Sequence, residues 1–509
     1  MENSQNNSRI AKNTLLLYFR MLLLMAVSLY TSRVVLSALG VEDYGIYNVV
    51  GGVVLMFTML TGSLSTAISR FITFELGKGN KEVLARVFSM SLTIQMILTA
   101  LVVLLIETIG FWYVNHKMII PVDRLFAANC VFHISVVTFA INLLSVPYNA
   151  AIIAYEKMSA FASISIVDAS LKLIVAYIIK CALFDKLVLY GLLLLLVGII
   201  NRSIYVFYCR RHFEETSYHY CWDKDLIKKM LSFGCWNFIG SSSAVLRDQG
   251  VNLLINNFSG PVVNAARGIA MQVSNAVTGF VSNFMVALTP QITMSYSRGD
   301  TENLLQYIYK GSKFSFFLLY ILSLPILVET ESILSVWLVE VPDTTVWFIR
   351  YILIYSLADT YLRTLIIANN ATGDIKIYQM VIGSLNLLVL PGSYLVLKLG
   401  GSPESTVLVT IFVAIVGIYP RIYFVKKNIP VSYSDYTKQI ILPTLSVVLL
   451  GSAIPCVLHL VLDVGCMAFI INIFVCFLSA ALSIFFVGCT VSERNYIVTL
   501  IKRKIHNEC

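Results

Sequence analysis

Two pairs of opposite charges occur inside apolar segments of this sequence. Asp168 and Lys172 stand four residues apart, and so do Asp359 and Arg363. This spacing places both members of a pair on one face of a helix. A charge within a membrane span is costly and usually faces a partner, a cavity or water. Each pair therefore either neutralises itself within its helix or marks a wet interior face.

Arg247 is the best single candidate for binding an anion, because it lies close to the middle of its apolar segment. Its neighbour Asp248 points about 100° away around the helix, which makes Asp248 a poor predicted partner. Guanidinium and ammonium groups bind phosphate through charge-assisted hydrogen bonds. The candidate anion-binding residues are Arg247, Lys172, Arg363, Arg33, Arg70 and Arg267, although Arg33 and Arg70 could instead extend toward lipid headgroups.

The acidic residues in the same segments suggest a second chemistry. Asp168, Asp248 and Asp359 are candidates for binding sodium ions or protons. No arrangement typical of nucleophilic or acid–base catalysis is visible, and the ten cysteines have no metal-ligand spacing. We therefore predict no catalytic residue, no metal site and no cofactor.

The elements that carry these residues are membrane spans. Of 509 residues, 58% are hydrophobic and 13% are charged, with a mean hydropathy of +0.80. Soluble domains have about 25% charged residues. At roughly 20 residues a span, the apolar runs predict about 14 transmembrane helices in an all-α polytopic membrane protein.

The loop charges predict the orientation. Lys and Arg are concentrated in alternate loops, which places both termini and the segment 209–230 in the cytoplasm. The same bias explains the net charge of +9 without a nucleic-acid partner.

Two short stretches of the chain repeat each other. ITFELGKGNKEVL begins at Ile72 and ITMSYSRGDTENL begins at Ile292, and Gly40 matches Gly260 at the same interval. Six spans separate the copies, so both keep one orientation as parallel repeats. The predicted organisation has two six-helix lobes, at 1–208 and 231–427, joined by a linker at 209–230. Two further helices and a basic tail follow at 428–509.

Four stretches carry a resemblance to a known family: LGVEDYGIYNVVGG, STAISRFITFELGKGN, RDQGVNLLINNFSG and NAARGIAMQV. With them the chain resembles the polysaccharide repeat-unit flippases, including the O-antigen flippases, in the polysaccharide transporter branch of the MATE-like superfamily. The resemblance implies two lobes around a central cavity and alternating access. It also implies a bacterial inner membrane, with membrane lipids around the chain. The implied substrate is a polyprenyl-pyrophosphate-linked oligosaccharide, whose phosphate groups the six basic residues would bind. A polysaccharide polymerase is a candidate partner, and a monomer is the default.

Two other functions stay open at this point. A cation-coupled multidrug exporter shares the fold, but such exporters favour acidic cavities. A membrane polymerase of the same pathway would need a larger loop or domain to hold its catalytic groups, and the predicted outer loops are short.

Overall fold

The computed structural model describes residues 2–55, 58–116, 120–183, 185–337, 344–461, 466–495 and 499. These residues form helices and connecting turns, with no strand among them. The all-α class is thus confirmed. Residues 500–509 of the predicted basic tail lie outside the described part.

The helices follow one another with short connections. They are α1 (Glu2–Leu55), α2 (Thr58–Lys78), α3 (Lys81–His116), α4 (Val122–Ala154), α5 (Met158–Lys180), α6 (Lys186–His212), α7 (Lys224–Arg298), α8 (Thr301–Val328), α9 (Thr330–Trp337), α10 (Thr345–Thr372), α11 (Lys376–Lys398), α12 (Ser405–Lys426), α13 (Tyr433–Val461) and α14 (Met467–Gly488).

Within the described residues, 11 helices are long and apolar enough to cross a membrane, so the chain is a multi-pass membrane protein. The predicted number of 14 is not confirmed. The three other predicted spans, at 45–73, 231–256 and 263–292, coincide with helical parts of α1, α2 and α7. The two spans in α7 carry more polar and charged residues, Arg247 and Arg267 among them, which lowers their hydropathy. The span at 45–73 includes residues 56–57, which lie outside the described part.

Two long helices, α1 and α7, each bend at a glycine. Gly40 in α1 has φ 81° and ψ 170°, and Gly260 in α7 has φ 81° and ψ 179°. Only glycine adopts this region readily, because a Cβ atom would clash with the backbone. The repeat in the sequence is therefore also a repeat in local backbone geometry.

The repeated phrases end their helices in the same way. Gly79 and Gly299 have φ values of 74° and 73°, the left-handed conformation that commonly follows a helix. The next residue then begins a new helix: Asn80 accepts a hydrogen bond from the Val83 amide, and Asp300 accepts one from the Asn303 amide. The same helix end and the same helix start thus occur 220 residues apart.

The chain divides into two compact units. Unit 1 consists of Met1–Ser242 and Val286–Gly299, and unit 2 consists of Ser243–Met285 and Asp300–Cys509. Unit 1 therefore contains the ends of α7 in addition to α1–α6. The lobe boundaries predicted from the sequence follow the repeat instead, and they stay a prediction.

Within unit 1 the two repeated phrases lie against each other. Arg298 Nε donates to the Gly77 carbonyl oxygen at 3.1 Å. A Cβ atom built on Gly77 would lie 3.1 Å from both the Cα and the carbonyl oxygen of Met294, and closer still to the Ser297 hydroxyl. Gly77 is needed here because the backbone of α7 approaches α2 too closely for a side chain.

Each unit also holds its helix ends together with a polar anchor. In unit 1, Arg124 binds Asp43 at 2.5 Å and Asp185 at 2.7 Å. In unit 2, the Glu329 carboxylate accepts from His459 Nδ1 at 2.8 Å and from Asn472 Nδ2 at 2.6 Å. The second anchor joins the end of α8 to α13 and α14, the two helices predicted to follow the second lobe.

Candidate functional site

Unit 1 contains a half-open cavity of about 440 Å³ lined by α1, α4, α5 and α6. One side of this cavity is the apolar core of the unit, since Val54, Phe139 and Leu143 belong to both. Gly191 and Gly198 on α6 also line the cavity. A Cβ atom at either glycine would lie 3.5–3.6 Å from α4 side chains, an ordinary packing distance, so α6 packs against α4 at these positions. We call this space the unit 1 cavity.

The polar lining of the unit 1 cavity includes the first predicted ion pair. Lys172 Nζ lies 2.7 Å from Asp168 Oδ2, one turn away on α5. Asn201 of α6 donates to the other carboxylate oxygen of Asp168 at 3.4 Å. The Lys172 side chain is 49% exposed and that of Asp168 is 23% exposed, so both reach the open space. Ser135, Thr138 and Asn142 of α4 and Tyr47 of α1 contribute further polar groups.

Unit 2 contains a different group of charges, centred on Arg247. Arg247 Nε donates to Asp248 Oδ1 at 2.9 Å, and the guanidinium carbon lies 5.5 Å from the centre of the Tyr355 ring. The prediction that Asp248 is a poor partner was wrong. The Cα–Cβ vectors of adjacent residues do diverge, but the long arginine side chain folds back around the helix to reach its neighbour. Arg247 is 12% exposed and Asp248 is 44% exposed.

Two more arginines complete this group in unit 2. Arg267 donates to the Asn252 side chain at 3.0 Å and to the Asp248 carbonyl oxygen at 3.4 Å, which links the two halves of α7 across the bend at Gly260. Arg363 Nε donates to Asp359 Oδ2 at 3.0 Å. We call this set, Arg247, Arg267, Arg363, Asp248 and Asp359, the unit 2 basic cluster. Its formal balance is positive by one charge.

The basic cluster involves three helical segments. Tyr355 and Asp359 stand one turn apart on α10, so Tyr355 meets Arg247 while Asp359 holds Arg363. Arg363 also donates to the Ser282 hydroxyl, on the second half of α7, at 3.2 Å. Both halves of α7 thus meet α10 through arginines.

The other two predicted arginines are placed differently. Arg33 on α1 is exposed. The Arg70 guanidinium lies 4.8, 4.6 and 5.8 Å from the ring centres of Phe71, Phe74 and Phe233. Neither is among the described residues that line the unit 1 cavity. Their predicted phosphate contacts stay a prediction, and stacking on aromatic rings accounts for the position of Arg70.

Several polar neighbours were missed by sequence reasoning, among them Tyr355, Asn252, Ser282, Asn142 and Asn201. Most are uncharged residues that are common in membrane helices, so they give no signal of their own. Tyr355 had one usable signal, because it lies one turn before Asp359. Among the described residues, no group of three or more His, Cys, Asp or Glu is arranged to hold a metal ion.

The sequence and the fold both match known proteins. A family model described as polysaccharide biosynthesis protein matches residues 10–296. The uncharacterized membrane protein EpsK of Bacillus subtilis (strain 168) is 22% identical over 303 residues, which are 58% of this chain and 59% of EpsK. The chain therefore matches about three fifths of the length of that relative.

Similar solved structures are transporters. MATE in the straight conformation is 14% identical with a TM-score of 0.71, covering 83% of this chain and 97% of that chain. A MOP superfamily transporter from Pyrococcus furiosus, for which reverse polarity of the binding pocket suggests a different function, is 14% identical with a TM-score of 0.69. That match covers 82% of this chain and 96% of the other. At these identities the likeness establishes the fold.

Proposed function

This chain belongs to the polysaccharide biosynthesis protein family and is a MATE-like polysaccharide transporter, and from that premise we propose that it flips a polyprenyl-pyrophosphate-linked oligosaccharide across the bacterial inner membrane. The proposed direction is from the cytoplasmic to the periplasmic leaflet, by alternating access, with both termini in the cytoplasm. The protein acts as a transporter and forms no covalent intermediate. The two-lobe boundaries predicted from the repeat belong to the same proposal.

The observation that carries this proposal is the unit 2 basic cluster. Three arginines gather on membrane helices, and two aspartates balance only part of their charge. An arginine within a span is costly, which favours a role in binding. A pyrophosphate is the anionic group shared by polyprenyl-linked sugars, and arginine matches phosphate oxygens with two parallel N–H donors.

The geometry allows Arg247 to bind phosphate without losing its present partner. A guanidinium has five N–H donors. Arg247 uses Nε for Asp248, and the Tyr355 hydroxyl is a second hydrogen-bond partner of its guanidinium. In this proposal the remaining N–H groups donate to phosphate oxygens. Asp248 then holds the guanidinium plane in position, and Tyr355 supports one face of it. Arg363 and Arg267 add positive charge from α10 and from the second half of α7.

A cation-coupled multidrug exporter is the second candidate, because MATE structures share this fold. The coupling cation of such an exporter would have to displace a basic side chain from its carboxylate. Asp168 is bound to Lys172, Asp248 to Arg247 and Asp359 to Arg363. The pairing weakens this candidate. A pocket of reverse polarity was taken as a sign of different function in the Pyrococcus furiosus transporter, and we apply the same reasoning to the positive balance of the cluster.

The test uses the purified protein in liposomes. Lipid-linked saccharides extracted from cells that lack the transporter are placed in the membrane, and their transfer between leaflets is followed by accessibility to an external glycosidase or lectin. We expect transfer that depends on the protein and is lost with Arg247→Ala. Transfer of a lipophilic cation in place of the saccharide lipid would support the exporter instead.

A further inference from the structure

The unit 1 cavity has a chemistry that the phosphate-binding proposal does not use. Its charged residues, among the described lining, are Asp168 and Lys172, which neutralise each other at 2.7 Å. A cavity with no net charge has little long-range attraction for a pyrophosphate or for a free cation. A prenyl chain is also a poor occupant, because it would remove both charges from water without replacing their hydrogen bonds.

We propose that the unit 1 cavity is a saccharide subsite, which binds an uncharged sugar of the substrate. This inference rests on the proposed function and adds the part of the substrate that this unit recognises. The volume of about 440 Å³ falls within the roughly 300–1,000 Å³ of small-ligand pockets.

The polar lining suits a ligand that both donates and accepts hydrogen bonds. Each sugar hydroxyl has one donor and two acceptor sites. The Asp168 carboxylate accepts, the Lys172 ammonium donates, and the Asn142 amide does both. The Thr138 hydroxyl donates its hydrogen to the Ile134 carbonyl oxygen at 2.8 Å, so toward a ligand it can only accept a hydrogen bond. Mixed donors and acceptors without net charge distinguish sugars from anions and cations.

The cavity also offers aromatic surface. Tyr47 and Phe139 both line it. The Tyr47 ring is held edge-on against Tyr190, with ring centres 4.8 Å apart, so its orientation is fixed by packing. A pyranose has C–H groups on its faces, which pack on an aromatic ring while its hydroxyl groups at the edge reach polar partners.

Gly51 provides a way to fill the cavity without disturbing its walls. It lines the space, and a Cβ atom built on it would meet no other atom within 4 Å. Leucine in place of Gly51 therefore extends into open volume, and it also favours the helix. Gly62 on α2 is the matched control, because its Cβ atom would likewise meet nothing within 4 Å but it does not line this cavity.

The experiment compares two probes on the purified protein in nanodiscs: the extracted saccharide-linked lipid and a sugar-free polyprenyl pyrophosphate of the same chain length. We expect the saccharide-linked lipid to bind the wild type roughly tenfold more tightly, as two or three added neutral hydrogen bonds would give. Gly51→Leu and Asn142→Ala should each abolish most of this ratio, and Gly62→Leu should keep it. Arg247→Ala should weaken both probes and leave the ratio.

The outcomes separate the two proposals. Equal binding of both probes to the wild type overturns the saccharide subsite and leaves the proposed function standing. Binding of neither probe overturns the proposed function. If the wild type shows the ratio and both Asn142→Ala and a well-folded Gly51→Leu keep it, the sugar is recognised elsewhere and this inference is wrong.

Discussion

The polar interiors of the two units differ in charge balance and in how their charges are held. In unit 1, one carboxylate and one ammonium on the same helix neutralise each other beside an open cavity. In unit 2, three arginines from α7 and α10 outnumber two aspartates. The two ion pairs there also lie within one helical segment, but each arginine has a further contact with another segment. A neutral cavity suits a hydroxylated ligand, and a positive cluster suits an anion. The two units thus carry different chemistry.

Reversing the charge at Arg247 should give the largest effect. Arg247→Glu repels phosphate and should abolish surface polysaccharide, while Arg247→Ala should lower export by roughly ten- to hundredfold, the value of a charged hydrogen bond. Arg247→Lys keeps the charge but loses the planar fork, so partial export is expected. Export is measured in a deletion strain together with the protein level in the membrane.

Arg350 gives the control for Arg247. It lies on α10, pairs with Glu331 at 3.8 Å and stacks 5.2 Å from Trp347, outside the basic cluster. Arg350→Ala should keep export. Full export by a well-expressed Arg247→Glu variant would remove Arg247 from the site.

The next largest effect should come from removing both charges of an ion pair, and the expected effect on export differs between the two units. Either single change, Asp168→Asn or Lys172→Gln, leaves one charge unpaired in unit 1, and the double variant restores neutrality. We therefore expect the double variant to export more than either single variant. In unit 2, Arg247→Gln with Asp248→Asn should export no better than Arg247→Gln alone, because the charge itself binds substrate. Recovery of export by this second double variant would show that both pairs need only neutrality. It would contradict the role of the Arg247 charge in binding substrate.

Removing the aromatic support of Arg247 should have a smaller effect. Tyr355→Leu should weaken the binding of sugar-free polyprenyl pyrophosphate by roughly two- to tenfold, and Tyr355→Phe, which keeps the ring, by less. Tyr47→Leu in unit 1 is the counterpart and should leave this affinity unchanged, since it faces the neutral cavity. A loss of affinity with Tyr47→Leu as large as with Tyr355→Leu would contradict the separation of roles.

The two units should differ least in how acid affects the stability of their helix-end anchors, because each anchor holds a carboxylate in hydrogen bonds. Partial burial raises the pKa of Glu329, but hydrogen bonds from Ser332, Asn472 and His459 outweigh it and hold the pKa below its usual value. Burial likewise raises the pKa of Asp185, and the Val188 amide and Arg124 lower it further than burial raises it. A lowered pKa in the folded state means stability that is present above the unfolded pKa and is lost as pH falls through the folded pKa.

The thermal unfolding midpoint measured in detergent should therefore decrease as the pH is lowered from about 6 to about 3. Glu329→Gln and Asp185→Asn should each lower the midpoint at pH 6 by about 1–3 °C and flatten its decline in acid. If one variant flattens the decline and the other does not, only one unit is acid-sensitive at its anchor.

Much of the fold was predictable because it depends on local order. Composition indicated a polytopic helical protein, and the 220-residue repeat matched Gly40 with Gly260 and Gly79 with Gly299, which share their backbone conformations. Less of the site was predictable. The polar parts of α7 were expected to be ordinary spans, but their hydropathy is lowered by the residues that build the basic cluster.

The sequence by itself determined the pairs Asp168 with Lys172 and Asp359 with Arg363, since a spacing of four residues places two side chains on one helix face whatever surrounds them. Only the tertiary structure decided that Arg247 folds back to Asp248 beneath Tyr355 and that Arg363 reaches Ser282. Such contacts depend on how each helix is rotated about its axis and on which rotamer its neighbours leave open. Spacing along one helix carries no record of either.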